Sequence, residues 1–86
     1  MDEETLYSEL RYLFGPFTVN KILKMKDNVE IIKMLREKKI LAMDSYKLIE
    51  KKGVKLRLDQ KKCYIEHFKT VNNLIKYYDG KRIQAA

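Results

Sequence analysis

A row of lysines is the pattern in this sequence with the clearest chemical meaning. Lys62, Lys69 and Lys76 recur at a spacing of seven residues, which on an α-helix places the three side chains on one face. Ammonium groups in such a row can neutralise successive phosphates of a nucleic-acid backbone. Lys55 and Arg57 precede the row and lead into it. The spacing predicts a phosphate-binding stripe, and it describes an ordinary solvated helix face equally well.

The distribution of charge also favours an anionic partner. Lysine and arginine total 19 against 12 acidic residues, which gives a net charge of +7. Four of the acids lie within the first ten residues, so the chain from Arg11 onward holds 19 basic residues against eight acidic ones. A body this cationic is expected to bind nucleic acid, an acidic protein face or, less readily, a membrane surface. The alternative is the solubilising surface of a protein from a thermophile or an AT-rich genome.

Catalytic chemistry has little support in the sequence. Cys63 and His67, one helical turn apart, are the single cysteine and the single histidine, and zinc needs about four ligands. We expect Cys63 to pack in the core with His67 at its rim. Paired carboxylates, a phosphate-binding loop and a dinucleotide fingerprint are all missing. The sequence predicts a non-enzymatic protein without metal or cofactor; a lysine Schiff-base lyase is the remaining alternative, because fifteen lysines would hide a special one.

The segment LRYLFGPFTVNKIL, residues 10–23, resembles the helix-hairpin-helix of non-specific DNA-binding modules. In that family two short helices meet at a tight Gly-apolar-Gly hairpin, and backbone N–H groups at the start of the second helix hold a phosphate. The resemblance implies that Thr18 and Lys21 add a hydroxyl and a charge to the phosphate site. Phe17 occupies the place of the second glycine, and Pro16 has no N–H. The alternative is a plain corner in which Phe17 anchors the core. The matching framework comprises Leu10, Leu13, Gly15, Val19, Ile22 and Leu23.

Helical periodicity dominates the first half of the chain. Asp2 is a predicted N-cap, and Gly15 with positive φ is predicted to end the first helix before Pro16. A second helix is expected from about residue 17 to 25. Asp27 is expected to cap a third helix that ends near residue 39, and residues 40–43 then form a short connection. Side chains predicted to face the core are Leu6, Leu10, Leu13, Val19, Ile22, Leu23, Val29, Ile32 and Leu35.

The second half is predicted to hold two further helices. Asp44 or Ser45 is expected to cap a short fourth helix that ends at Gly53, and residues 54–58 read as an extended connection. The longest helix is expected to start at Asp59, with Leu58 and Cys63 spaced as a hydrophobic staple, and to end at residues 79–80. Its apolar seam comprises Tyr64, Phe68, Val71, Ile75 and Tyr78.

These elements predict an all-α, compact single domain of about five helices with a long C-terminal helix. The domain is expected to span residues 1–80, and residues 81–86 are expected to form a frayed tail. A lone cysteine fits a reducing compartment, and no apolar run approaches the length of a membrane span. We therefore expect a cytoplasmic protein.

The function predicted from these features is that of a small basic accessory protein acting at nucleic acid. It would bind the phosphate backbone without sequence preference, and some of its six tyrosines could stack on the bases of single strands. In type and composition the chain resembles the small accessory subunits of archaeal DNA polymerase complexes, such as those of the crenarchaeal B-family enzymes. That resemblance implies a protein partner in a larger replication or repair complex. The alternative is a protein-interaction module that presents its acidic start and its basic body to different partners.

Overall fold

The computed structural model describes residues 1–85, with side chains described for residues 1–81. Within this part of the chain all regular structure is helical, which confirms the all-α prediction. There are four helices rather than five, and they form a single domain. The helices are α1 (Glu3–Phe14), α2 (Pro16–Lys24), α3 (Asn28–Lys51) and α4 (Leu58–Ala85).

Local signals fix the start and the end of α1. The Oδ1 atom of Asp2 accepts a hydrogen bond from the Thr5 N–H at 2.7 Å, and this bond lowers the pKa of the Asp2 carboxyl. Gly15 ends the helix with φ 87° and ψ 173°, a region that is essentially restricted to glycine. Its N–H donates to the Arg11 carbonyl at 2.8 Å. The predicted N-cap at Asp2 and the predicted positive φ of Gly15 are both confirmed.

The predicted third and fourth helices are one continuous helix, α3. No glycine or proline interrupts residues 28–51, so nothing in the backbone forces an end there. Residues 40–43 are helical, and only Ala42 of the four is turned inward. Asp44 and Ser45 do not cap a helix, because both lie within α3. The Ser45 Oγ lies 2.9 Å from the Tyr64 hydroxyl oxygen of α4. Gly53, with φ 70°, follows the end of α3 as predicted.

The start of α4 differs from the prediction by one residue. The helix begins at Leu58, and Gln60 reaches back to accept a hydrogen bond from the Arg57 N–H at 3.0 Å. This is the return half of a capping box, so Asp59 lies inside the first turn. Leu58 is 69% exposed and Cys63 is exposed as well, so the predicted hydrophobic staple is wrong.

The end of α4 also differs from the prediction. The helix passes through Asp79 and Gly80 and ends at Ala85, so the predicted end at residues 79–80 is wrong. A single glycine within a helix costs only about 1 kcal/mol relative to alanine. The predicted tail, residues 81–86, begins inside α4. Its side chains from residue 82 onward, and the whole of residue 86, lie outside the described residues.

The core lies where α1, α2, the first half of α3 and the second half of α4 meet. α4 packs against α3 and α1, and α2 packs against α1. Two predicted core residues, Leu23 and Val29, are 41% and 54% exposed, because the buried faces of their helices run through Ile22 and through Ile31 and Ile32 instead. The buried apolar side chains are Leu6, Leu10, Leu13, Val19, Ile22, Ile31, Ile32, Leu35, Val71, Leu74 and Tyr78.

Candidate nucleic-acid interface

The basic stripe, formed by Lys62, Lys69 and Lys76, lies on the solvent side of α4. All three side chains are exposed, whereas Val71 and Leu74 on the opposite side of the helix are fully buried. Because α4 is unbroken through this segment, the stripe is about 21 Å long at the helical rise of about 1.5 Å per residue.

The charges of the basic stripe are not neutralised by neighbouring carboxylates in the described part of the chain. Glu66 lies one turn from Lys62 and from Lys69, but within residues 1–81 neither lysine has a carboxylate oxygen within ion-pair distance. Ammonium groups in this state remain surrounded by water and counterions. They are free to exchange those counterions for phosphates, which is the origin of salt-dependent binding to nucleic acid.

Lys55 and Arg57 lie in the connection that precedes α4, and both are exposed. The Arg57 Nε lies 3.6 Å from Oδ1 of Asp59, with the two side chains 76% and 72% exposed. An ion pair this exposed contributes little to stability, so a phosphate can compete for the guanidinium. These two residues extend the positive charge of the stripe into the connection that precedes α4.

The other two predicted site residues, Thr18 and Lys21, lie on α2. Lys21 is exposed and Thr18 is half-buried. α2 packs mainly on α1, whereas the basic stripe lies on α4. The predicted contacts therefore divide into two surfaces rather than one, with Lys55, Arg57 and the stripe on the first and the α2 pair on the second.

The α1–α2 corner has one feature of the helix-hairpin-helix and lacks another. Gly15 adopts the positive φ expected of the first hairpin glycine, and Pro16 occupies the first turn of α2. Phe17 is 94% exposed, so the alternative in which this ring anchors the core is wrong. The side chain of Phe17, in place of the second hairpin glycine, therefore lies beside the first N–H groups of α2, where the helix-hairpin-helix leaves the backbone accessible to a phosphate.

The side chains of Cys63 and His67 differ in their environment. Cys63 is exposed rather than packed in the core, whereas the Nε2 atom of His67 is buried without a hydrogen-bond partner. The imidazole lies against two rings, with centroids 6.4 Å from Tyr12 and 6.0 Å from Phe68. Among the described residues no group of three or more histidine, cysteine and acidic side chains is arranged to hold a metal ion.

A polar groove between α1 and α4 was missed at the level of sequence. It has a volume of about 240 Å³ and is lined by Ser8, Glu9, Tyr12, Glu66 and Thr70. Burial, and then the charge of Glu66, raises the pKa of the Glu9 carboxyl. In the sequence Glu9 is only one of the four acids among the first ten residues. Glu66, the neighbouring carboxylate, lies 57 positions further along the sequence, so no local pattern in the sequence indicates that the two groups are close together.

An apolar groove between α3 and α4 was missed as well. Its lining residues are Tyr46, Lys61, Tyr64, Ile65 and Phe68, and its volume is about 260 Å³. We refer to these five residues as the aromatic groove. The apolar seam predicted for α4 included two of its rings, but it assigned them to the core, whereas the structure leaves both half-buried at the surface.

No helix in the described part of the chain combines the length and the apolar character needed to cross a bilayer. Comparison of the sequence with protein-family models and with curated proteins, and of the structure with solved structures, finds no match.

Proposed function

We propose that this protein is a small, non-enzymatic accessory protein that binds the phosphate backbone of nucleic acid without reading its sequence. The observation that supports this function is the basic stripe, a row of three exposed lysines without carboxylate partners among the described residues. Neighbouring lysines of the stripe are about 10 Å apart along the helix axis. This distance is close to three base-pair steps of duplex DNA at about 3.4 Å each.

The type of side chain favours non-specific binding. Lysine presents a compact charge on a flexible stem, whereas base recognition commonly uses the planar, bidentate groups of arginine, asparagine or glutamine. Phosphate contacts position a protein on nucleic acid but carry no direct sequence information. We propose that Lys55 and Arg57 extend the stripe and that Thr18 and Lys21 form a separate, secondary contact.

We further propose that the protein works as a subunit of a DNA replication or repair complex. The support is the likeness in type and composition to small basic subunits of archaeal polymerase complexes. A subunit of this kind would hold the template through its phosphates while a larger partner performs the chemistry. Co-purification from native cells, with and without nuclease, separates partners bound directly from partners bridged by nucleic acid.

Fluorescence anisotropy with two unrelated labelled DNA duplexes tests the binding function. We expect the two affinities to agree closely, and the logarithm of the binding constant to fall steeply and linearly with the logarithm of salt concentration. Absence of binding to either duplex and to single strands at low salt would contradict the proposal.

A second candidate function, a protein-interaction module, is favoured by the outer face of α3. Val29, Ile40 and Met43 are 54%, 55% and 37% exposed, and their spacing places them on one side of the helix. Lys33 and Arg36 lie between them. An exposed apolar strip with basic neighbours suits an acidic amphipathic helix of a partner. Ile40→Asp should abolish nuclease-resistant co-purification of such a partner and leave DNA binding unchanged.

A further inference from the structure

We infer that the aromatic groove takes an unpaired nucleobase, so that the protein prefers single-stranded to duplex nucleic acid. This inference rests on the proposed function and names the form of nucleic acid that the interface binds.

The rings of the aromatic groove are held in place before any ligand binds. The Tyr46 and Tyr64 rings meet edge to face, with centroids 5.3 Å apart at 74°, and Tyr64 and Phe68 lie nearly parallel, 6.5 Å apart at 26°. The Tyr64 hydroxyl is hydrogen-bonded to Ser45 at 2.9 Å. Rings fixed by such contacts lose little entropy when a base stacks on them.

The aromatic groove also has the size and the openness that a single base requires. Its volume of about 260 Å³ is below the roughly 300–1,000 Å³ of sites for drug-sized ligands, so it suits one planar ring system. Ile65 is 65% exposed at its edge and offers apolar surface to the same ligand. An aliphatic side chain left this exposed beside three aromatic rings is not needed to complete the core.

Positive charge borders the groove on α4. Lys61 lines it, and Lys62 and Lys69 of the basic stripe are each within one turn of Ile65. A base inserted among the rings would therefore place its own and the neighbouring phosphates along the stripe. Aromatic rings beside a positively charged track are the usual combination in proteins that bind single strands without sequence preference. Bases in a duplex are paired and stacked, so they would have to be unstacked before they could enter.

The test compares three labelled DNA probes of equal length by fluorescence anisotropy: a single strand, the corresponding duplex, and an abasic strand that keeps the phosphates. We expect the single strand to bind more tightly than the duplex and at least about fivefold more tightly than the abasic strand, since stacking of one base is worth that much or more. The chain has six tyrosines and no tryptophan, so quenching of tyrosine fluorescence should accompany single-strand binding. An RNA strand of the same sequence serves as a further arm, and preference for either single strand over the duplex supports the inference.

Two groove variants and one control variant locate the effect. Tyr46→Leu combined with Phe68→Leu keeps apolar bulk but removes two rings, and it should reduce single-strand affinity to the abasic level while the salt slope is unchanged. Tyr12→Leu, a change of an aromatic residue outside the groove, is the matched control and should keep the preference. Ile65→Glu alters an exposed position only, so it remains informative if the double variant does not fold, and it should also weaken single-strand binding.

The two proposals fail in different ways. If the protein binds none of the probes at low salt, the proposed function itself is overturned. If the single strand, the duplex and the abasic strand bind alike with a steep salt dependence, the phosphate-binding function stands and the aromatic groove is not a base site. Equal loss of single-strand binding in the Tyr12→Leu control would also overturn the assignment.

Discussion

Two regions of this molecule differ in how completely their side chains are buried. We call residues 3–35 and 70–81 the core end, and residues 36–69 the arm. Every buried residue among residues 1–81 lies in the core end. The arm consists of the second half of α3, the connection and the first half of α4. None of its residues is buried. The core end therefore determines the fold, and the arm mainly presents surface.

The difference follows from how many helices meet in each region. In the core end α4 contacts both α1 and α3, and α1 is covered by α2 as well, so Leu10 and Leu74 are enclosed completely. Along most of the arm α3 and α4 have only each other. A pair of helices covers each side chain from one direction, which leaves Tyr46, Tyr64 and Phe68 half-buried. Regions with few buried apolar contacts open at lower free energy than the rest of a domain.

The largest expected effect on stability comes from truncating a buried side chain of the core end. Leu74→Ala should lower the free energy of unfolding by about 2–5 kcal/mol, because the side chain is fully buried and its removal leaves a cavity. Ile65→Ala on the arm, where the side chain is 65% exposed, should change it by about 0.5 kcal/mol or less. Urea denaturation of the two variants measures both. Similar losses would show that the arm is as tightly packed as the core end.

The next effect concerns the surface of α4 that continues from the arm into the core end. Changing Lys62, Lys69 and Lys76 to Gln should reduce the salt slope on duplex DNA by about 2–3, since each phosphate contact contributes about 0.9. All sequences should weaken alike, and stability should change by only about 0.5 kcal/mol per site. Anisotropy titrations at several salt concentrations measure the slope.

The matched control for the stripe is the triple change of Lys24, Lys26 and Lys33 to Gln. These lysines are also exposed, and the variant loses the same net charge away from α4. It should keep most of the wild-type slope. A wild-type slope in the stripe variant, or equal losses in the two variants, would mean that the stripe is an ordinary solvated face.

A smaller effect is expected at the α1–α2 corner of the core end. Gly15→Val should destabilise the domain by about 1 kcal/mol or more, because a β-branched residue resists positive φ. No atom lies within 4 Å of the added Cβ, so the loss would come from the backbone conformation rather than from crowding. Gly80→Ala is the matched control, since Gly80 lies inside a helix with equally open surroundings. That change should stabilise by up to about 1 kcal/mol, and thermal melts show both shifts.

The smallest effect is a pH dependence at the polar groove. The pKa of Glu9 is raised in the folded state, first by burial and then by the charge of Glu66, so the folded protein binds this proton more tightly than the unfolded chain does. The contribution of Glu9 to stability therefore falls as pH rises from its ordinary value of 4.5 through the raised pKa. Glu9→Gln should be more stable than the wild type at neutral pH by less than about 1 kcal/mol.

Thermal melts of the wild type and of Glu9→Gln over a series of pH values measure this difference in stability. The contributions of the other titratable groups are the same in both proteins, so they cancel in the difference. The advantage of the variant should shrink as the pH falls through the raised pKa of Glu9, and it should be gone below the ordinary value of 4.5. A difference that does not vary with pH would show that the effect of the substitution is one of packing and not of ionisation.

Much of the fold follows from signals carried by a few neighbouring residues. Asp2 and Asp27 cap helices because a short carboxylate can accept the first free N–H groups, and Gly15 and Gly53 allow positive φ where helices end. The exposure of the basic stripe was also predictable, since the apolar residues of α4 assign one face to the core and leave the other to solvent. Each of these features depends on positions within two or three helical turns of one another.

The remaining features were decided by contacts between segments far apart in the sequence. The contact of Ser45 in α3 with Tyr64 in α4 joins positions 19 residues apart, and whether Phe17 or Val29 is buried depends on which face the neighbouring helices cover. The polar groove joins α1 to α4, and the aromatic groove joins α3 to α4. The sequence by itself determined the helical class, the N-caps of α1 and α3, and the exposed lysines. Only the tertiary structure decided which residues meet across helices, because burial and pairing depend on the packing of elements that no local pattern encodes.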